Sequence, residues 1–475
     1  MSTPSVLNFD LVVLGGGPAG SSGAIAAGLL RRKVALVEKA KLVGGAGINT
    51  GTIPSKTLRE TSLVLSGWRS RRLFGVDLSL RREATVSDFM RHEKVVTATE
   101  RERVESRLLQ EGASKFHGTA SFVDDHTVRV TSPEGAVLLR GERILIATGS
   151  SPLRPPGFDF NDDRVHDSNE ILELKALPKK LAVIGGGVIG SEYAGTFAAL
   201  GAEVHLIDGR EVLMPFLDPE ISQALAAAMT ANGIQFHWKK KVVKCDSSKP
   251  GDVVLTMDSG EALSCDGVLV CAGRSSNTED LNLAAAGLTP GKRGLVQVNE
   301  HFQSTEVPHI YAAGDVIGPP ALAATGIEQA RVAVCHAFGE TLKTGIASLL
   351  PTGIYTIPEA SMVGETEASL KEKQIPYLVG RARYSDIPRG DIIGDNVGFL
   401  KLLFHRDDLR LLGVHVMGEH ATEVVHIGLI AMMTGAGADL FNQACFNYPT
   451  LGDLYKYAAY DALFQVRRLA GQVSE

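Results

Sequence analysis

Apolar residues run almost unbroken from Phe9 to Leu14, break at Gly15–Gly17, and resume as an alanine-rich stretch up to Leu30. Such a run predicts a buried strand, a tight turn and a helix, with a second apolar strand ending at Glu38. The same grammar returns at "KKLAVIGGGVIGSEYAGTFAALGAEVHLIDGRE", where the second strand ends at Asp208. Shorter strands closing on glycine turns are read at "RILIATGSSP" (143–152), "DGVLVCAGRSSNT" (266–278) and "HIYAAGDVIG" (309–318). From residue 346 the character changes. "GFLKLLF" and "LLGVHVMG" read as strands, followed by an amphipathic helix and a final helix from about Gly452. The expected class is α/β: two Rossmann-like dinucleotide-binding domains plus a C-terminal α+β domain. "WRSRR" (68–72) and "TATERERVESRLLQEG" (97–112) read as the solvated faces of two helices.

Composition adds little to this picture and removes some alternatives. With 475 residues the chain is long enough for roughly three domains. Hydrophobic residues at 44% and charged residues at 21% are ordinary for a globular protein. A net charge of −6 gives no reason to expect nucleic acid or an anionic membrane. The start, "MSTPSVLNFDLVVLGGGPAG", has no basic n-region, so no signal peptide is expected and the cytoplasm is the expected compartment. Cys245, Cys265, Cys271, Cys335 and Cys445 form no CxxC or CxxxxC pair, and most are expected to be reduced, buried small hydrophobes.

The glycine turns carry the chemistry. Gly15, Gly17 and Gly20 stand in GxGxxG spacing, which permits a tight turn, close approach of backbone to a pyrophosphate, and close helix–strand packing. The following helix N-terminus offers N–H groups and the positive end of its dipole. Glu38, 23 residues after Gly15, is placed to accept bonds from two ribose hydroxyls. Gly185, Gly187, Gly190 and Asp208 repeat the arrangement, which predicts two dinucleotides, or two halves of a larger arrangement; with two dinucleotides, hydride transfer between them is expected. Asp315, at the C-terminal end of a strand, either bonds a ribose or polyol chain or caps the next helix. "HVMGEH" (415–420) resembles a zinc motif, but its histidines are one residue too far apart and His415 lies on a predicted strand, so no metal is expected.

These motifs, with "GGAGINTGTIPSK" (44–56), ATG at 147–149 and "YPT" near the C-terminus, occur in the order of one family along nearly the full chain. The chain resembles the FAD-dependent pyridine nucleotide–disulfide oxidoreductases, and within them the soluble pyridine nucleotide transhydrogenase branch. "PTGIYTIPE" (351–359), "VGFLKLLFHR" (397–406) and "FNYPT" (446–450) look like that branch. The resemblance implies a glutathione reductase-like fold: an FAD-binding segment 1–155, an NAD(P)-binding domain 156–276, a second FAD segment 277–345, and a dimerisation domain 346–475. It implies cofactor contacts at Gly15, Gly17, Pro18, Ala19, Gly20, Glu38 and Lys39, and at Gly45, Gly51, Thr52 and Lys56. Further cofactor contacts are implied at Thr148, Gly149, Gly273, Arg274, Gly314 and Asp315. For NAD(H) and NADP(H), Gly185, Gly187, Val188, Ile189, Gly190, Glu192, Asp208 and Arg210 are implied. Lys56 and Glu192 match a pair that sits beside the flavin in this family.

The departures from the family decide the expected function. Gly47 and Thr52 stand where the redox cysteines belong, and Tyr448 and Asp453 replace the histidine and glutamate that serve those thiols. A phenol is a poor proton shuttle near neutral pH, so disulfide reduction by the family mechanism is excluded. Hydride must then leave the flavin by the route it entered, from NADPH to NAD⁺, with Lys56, Glu192, Thr52 and Tyr448 as the expected catalytic residues. Tyr448 either reaches in from a second protomer to shield the flavin or simply packs at an interface. Asp208 suits NAD, because a carboxylate repels a 2′-phosphate, and Arg210 either compensates it or is a solvated loop charge. The alternatives are an NADH-preferring diaphorase or quinone reductase, and a retired FAD-binding scaffold protein.

Overall fold

A computed structural model describes residues 6–68 and 85–469. The chain forms two compact units, one drawn from 1–57, 90–153 and 272–347, the other from 58–89, 154–271 and 348–475. Each is described by itself.

In the first unit the apolar run forms strand Val6–Leu14, which pairs in parallel with Val34–Glu38 on one side and Gly135–Ile146 on the other. Ser114–His117 and Ile310–Ala312 extend the parallel sheet at its two sides. Strands Thr119–Phe122 and Thr127–Ser132 fold back on Gly135–Ile146 as an antiparallel flap. The first strand is apolar throughout because both its faces are covered. Val12 and Leu14 enter one core with Ile144 and Leu283, while Leu11 and Val13 enter another with Ala24, Ala330 and Val334 of helices Pro18–Leu29 and Ala323–Ala337. Each fully buried leucine or valine contributes about 1.5–3 kcal/mol.

The second unit repeats the parallel architecture in the order Ile234–Trp238, Glu203–Asp208, Lys180–Ile184, Gly267–Val270, Val165–Asp167. It also contains a five-stranded antiparallel sheet ordered Thr352–Ile354, Ala360–Gly364, Leu411–Met417, Phe399–His405, Tyr377–Arg383. The last helix, Asp453–Leu469, lies directly on this sheet: a Cβ on Gly380 would meet the Ala458 carbonyl oxygen at 1.9 Å. Its Tyr455 hydroxyl donates to Val424 O (2.9 Å) and accepts from Gly428 N (3.0 Å), tying it to helix Ala421–Met433.

A buried ionic cluster links helix Pro219–Ala231 to this antiparallel sheet. Asp218 caps the helix through Glu220 N. The Lys401 ammonium, fully buried on its strand, donates to Asp218 (2.7 Å) and Glu367 (2.5 Å) and pairs with Glu220 (2.9 Å). Arg381 forks onto Glu220.

On helix Val86–Gln110, Glu102, Arg103 and Arg107 are exposed while Glu100, Arg101 and Glu105 are half-buried, with Glu100–Arg103 and Glu105–Lys115 pairs. Residues 69–72 of "WRSRR" lie outside the described residues. No helix among the described residues is long and apolar enough to cross a membrane. Of the cysteines, only Cys265 and Cys335 are fully buried and Cys445 is exposed, so the expectation of mostly buried thiols is corrected. Tertiary placement decides this: Cys445 follows the short helix Ala438–Gln443 and is left exposed. Burial pushes the Cys271 thiol up to about 12 and Cys245 to about 11, which makes both poor nucleophiles.

Candidate functional site

The first cradle forms where strand Val6–Leu14 ends. Gly15 has φ +104°, and a Cβ there would meet the Ala147 carbonyl oxygen at 2.4 Å. Gly20 is tighter still, since a Cβ on it would stand 1.8 Å from Gly15 O, so helix Pro18–Leu29 starts with its backbone against the turn. Pro18 occupies the first helical turn, where no N–H is needed, and the amides of Ala19 and Gly20 face outward from the helix end. The Gly44–Gly45 turn closes on the same place: Gly44 N donates to Gly16 O (2.8 Å), and a Cβ on Gly45 would stand 2.7 Å from Gly17 Cα.

Glu38 accepts Gly16 N at one oxygen and Ala40 N at the other, both at 2.7 Å. An ionised carboxylate has about four acceptor positions, so two remain for a ribose diol. Across the sheet, the Thr148 hydroxyl is buried with no partner among the described residues. Asp315 accepts from Ser150 Oγ (2.6 Å), and Arg274 donates to the same oxygen (2.7 Å) and to Ser150 O (2.6 Å). Gly314, at φ +81°, gives its amide to Gln329 (2.8 Å), and Gly149, at φ +69°, accepts Asn277 N (3.0 Å). Gly273 accepts Leu153 N at 2.9 Å. A glycine cradle, an open acidic pair of oxygens and an orphaned hydroxyl fit a dinucleotide such as FAD. Lys39 instead points to solvent and pairs with Asp280. Ser150 is the residue that sequence reading missed; its only signal was its place just after the ATG turn.

Gly47 and Thr52, the positions of the absent thiols, line a cavity of about 800 Å³ with Pro18, Ile48, Ile53 and Ile327. A Cβ on Gly47 would stand 2.4 Å from Pro18 Cγ. Gly51 accepts Ser55 N (2.9 Å), and Lys56 Nζ donates to Ser55 Oγ at 3.3 Å. Because position 47 has no room for a side chain and position 448 is a phenol, a Gly47→Cys, Thr52→Cys double variant is expected to show no disulfide-dependent NAD(P)H oxidation above the parent. Lipoamide and oxidised glutathione are the substrates to assay, and turnover rising tenfold or more, on the order of 1.4 kcal/mol, would contradict this reading.

The second cradle lies in the second unit. Gly185 has φ +103°, with its Cβ position 2.5 Å from Cys271 O, and a Cβ on Gly190 would stand 2.0 Å from Gly185 O. Gly187 caps helix Val188–Ala199, which leaves the amides of Val188, Ile189 and Gly190 at the free end. Asp208 accepts Gly186 N (2.6 Å), Arg210 N (2.8 Å), Arg210 Nε (2.9 Å) and Arg210 Nη2 (2.6 Å). Burial would raise its pKa, but the guanidinium and the two amides outweigh this and hold it below the usual carboxylate range. Glu192 is buried and accepts Tyr355 N at 2.9 Å. Tyr448 is 69% exposed, just before the helix that Asp453 begins. His415 is buried on its strand, where its Nε2 bonds Glu365 O (2.8 Å).

Comparisons with known proteins agree with this geometry. A family profile described as pyridine nucleotide-disulphide oxidoreductase matches residues 9–337, and its dimerisation domain matches 350–459. The chain is similar to a soluble pyridine nucleotide transhydrogenase of Mycobacterium tuberculosis, at 44% identity over 97% of this chain and 98% of that one. A protein of the same name from Chromohalobacter salexigens is 41% identical over 97% of this chain and 100% of its own. Among solved structures, the HOCl-induced flavoprotein disulfide reductase RclA from Escherichia coli matches with TM-score 0.85 and 25% identity, covering 95% of this chain and 99% of that one. With two glycine cradles, a glutathione reductase-like fold and these matches along nearly its whole length, the chain belongs to the pyridine nucleotide-disulphide oxidoreductase family.

Proposed function

We propose that this protein is a flavin-dependent transhydrogenase that moves a hydride between NADPH and NAD⁺ without a redox disulfide. The observation that carries the reading is the thiol-free loop: Gly47 and Thr52 line the cavity beside the first cradle, so hydride on the flavin has no dithiol in this loop to pass to. Relatives at 44% and 41% identity carry the transhydrogenase name. FAD, held at the first cradle, supplies a ring that can take up and give back a hydride.

The chain's own residues bind and orient. The amides of Ala19 and Gly20 receive the pyrophosphate, Glu38 the ribose diol, and Thr148 and Asp315 the remaining polar chain. Pro18, Gly45, Gly51, Thr52, Gly149, Gly273, Arg274 and Gly314 shape the path, while Lys39 stays at its rim. In the second unit, the amides of Val188, Ile189 and Gly190 receive the nicotinamide nucleotide's pyrophosphate. We assign Lys56 to the flavin edge as a fixed positive charge, Glu192 to lining the nicotinamide pocket, and Tyr448 to shielding the ring from a second protomer. The four-segment division at 155, 276 and 345, a homodimeric or larger assembly, a cytoplasmic location and the absence of a nucleic-acid partner belong to the same reading.

The deciding assay mixes the anaerobic holoenzyme with NADPH and thio-NAD⁺ and follows reduced thio-NAD at its own wavelength. Rapid NADPH-driven turnover is the expected result. NADPH that leaves the flavin oxidised, while NADH bleaches it, would replace this reading with an NADH diaphorase using the largely apolar cavity beside Gly47 for a small acceptor.

A further inference from the structure

A transhydrogenase needs one ribose pocket that admits both a 2′-hydroxyl and a 2′-phosphate, and the residues at the end of strand Glu203–Asp208 are arranged unusually for either. The inference rests on the reading of the second cradle as the nicotinamide nucleotide site. Asp208 resembles Glu38 in sequence position but not in bonding. Glu38 has two acceptor positions left, whereas Asp208 has all four taken, by Gly186 N and by three donors of Arg210. Its side chain is 6% exposed. No lone pair faces outward for a ribose diol, and its charge is matched at contact distance by a guanidinium.

Arg210 spends two of its five N–H groups on Asp208 and keeps three, on a side chain 45% exposed. A second cation lies beside the residue before it, Gly209. The Lys241 stem runs over Gly209, with Cε 3.3 Å from the position a Gly209 Cβ would take. Its backbone is pinned by Asp258, which accepts its amide (3.2 Å) and donates to its carbonyl (2.8 Å). Of the neighbouring lysines, Lys239 is paired with Glu211 and Lys240 with Glu261 (3.5 Å). Lys241 is exposed and has no ion pair among the described residues.

We propose that Asp208, Arg210 and Lys241 form a ribose subsite that accepts either nucleotide. Asp208 does not read the ribose; it locks Arg210. The free N–H groups of Arg210 bond the ribose hydroxyl oxygens of NAD(H), and the same groups together with the Lys241 ammonium bond the 2′-phosphate of NADP(H).

The test is calorimetric binding of 2′,5′-ADP and 5′-AMP to the holoenzyme, since neither ligand reacts. The parent is expected to bind both. Lys241→Met is expected to weaken 2′,5′-ADP about tenfold, the loss of one charge-assisted bond, and to leave 5′-AMP within about twofold. Asp208→Asn is the sharper variant, because the two views differ in sign. A carboxylate that merely repels phosphate would, once neutralised, bind 2′,5′-ADP more tightly; a carboxylate that locks Arg210 would, once neutralised, bind it about tenfold more weakly. Tighter binding in Asp208→Asn, or unchanged 2′,5′-ADP binding in Lys241→Met, overturns the proposal while leaving the transhydrogenase reading intact. A parent that binds 5′-AMP but not 2′,5′-ADP overturns both.

Discussion

A Gly190→Ala variant is expected to purify yellow but to bind NAD⁺ and NADP⁺ roughly 10- to 100-fold more weakly, the equivalent of about 1–3 kcal/mol of forced overpacking. The added methyl would lie 2.0 Å from the Gly185 carbonyl oxygen and 3.2 Å from Val183 Cγ1. Neither neighbour is a flexible side-chain end, so the turn must open or helix Val188–Ala199 must withdraw. Either movement carries the amides of Val188 and Ile189 away from the pyrophosphate they are placed to meet. Gly20→Ala repeats the experiment in the first cradle, where the methyl would meet Gly15 O at 1.8 Å, and there the protein is expected to lose its flavin colour instead. Flavin absorbance and nucleotide titration separate the two effects. Undiminished nucleotide binding in Gly190→Ala would show that the second cradle is not the nicotinamide site.

The second large effect is on stability. Lys401→Met is expected to destabilise the second unit by about 3–5 kcal/mol, because it leaves buried carboxylates without their cation. Asp218 loses its 2.7 Å partner and Glu367 its 2.5 Å partner, while Glu220 keeps Arg381. Adding Asp218→Asn and Glu367→Gln to Lys401→Met removes the unpaired charges and should recover most of the loss, since the asparagine can still cap the helix.

The same cluster sets an acid limit. Burial alone would raise the carboxyls of Asp218, Glu220 and Glu367, but the bonds from Lys401 and Arg381 outweigh it and all three lie below their ordinary values of 3.8 and 4.5. The unfolded chain therefore binds these protons more tightly than the folded one. The stabilisation is complete above the ordinary carboxylate range and is lost as pH falls through and below it. Thermal unfolding of the parent should show this steep acid limb, and the triple variant a shallower one. Equal slopes in the two proteins would mean that the cluster contributes nothing to acid stability.

The chain by itself determined both cradles. Strand, glycine turn, helix and closing acid lie within about 30 residues, so short-range sterics and apolar periodicity are enough to specify them. The loss of the thiols was equally plain, because Gly47 and Thr52 are read directly from the sequence. Tertiary structure decided what those residues can do. Glu38 and Asp208 end equivalent strands, yet one keeps free acceptor positions and the other is closed by a side chain two residues on. That difference depends on which way Arg210 folds, which no spacing rule contains. Ser150 meets Asp315 across 165 residues, and Lys401 meets Asp218 across 183. A run of three lysines at 239–241 looks like solvated surface until the packed sheet brings the stem of the third over Gly209, just past the end of strand Glu203–Asp208 and next in the chain to Arg210. Contacts between residues far apart in the chain follow from how the strands pair and stack. The local pattern names the strands, and only the packed sheet places their ends side by side.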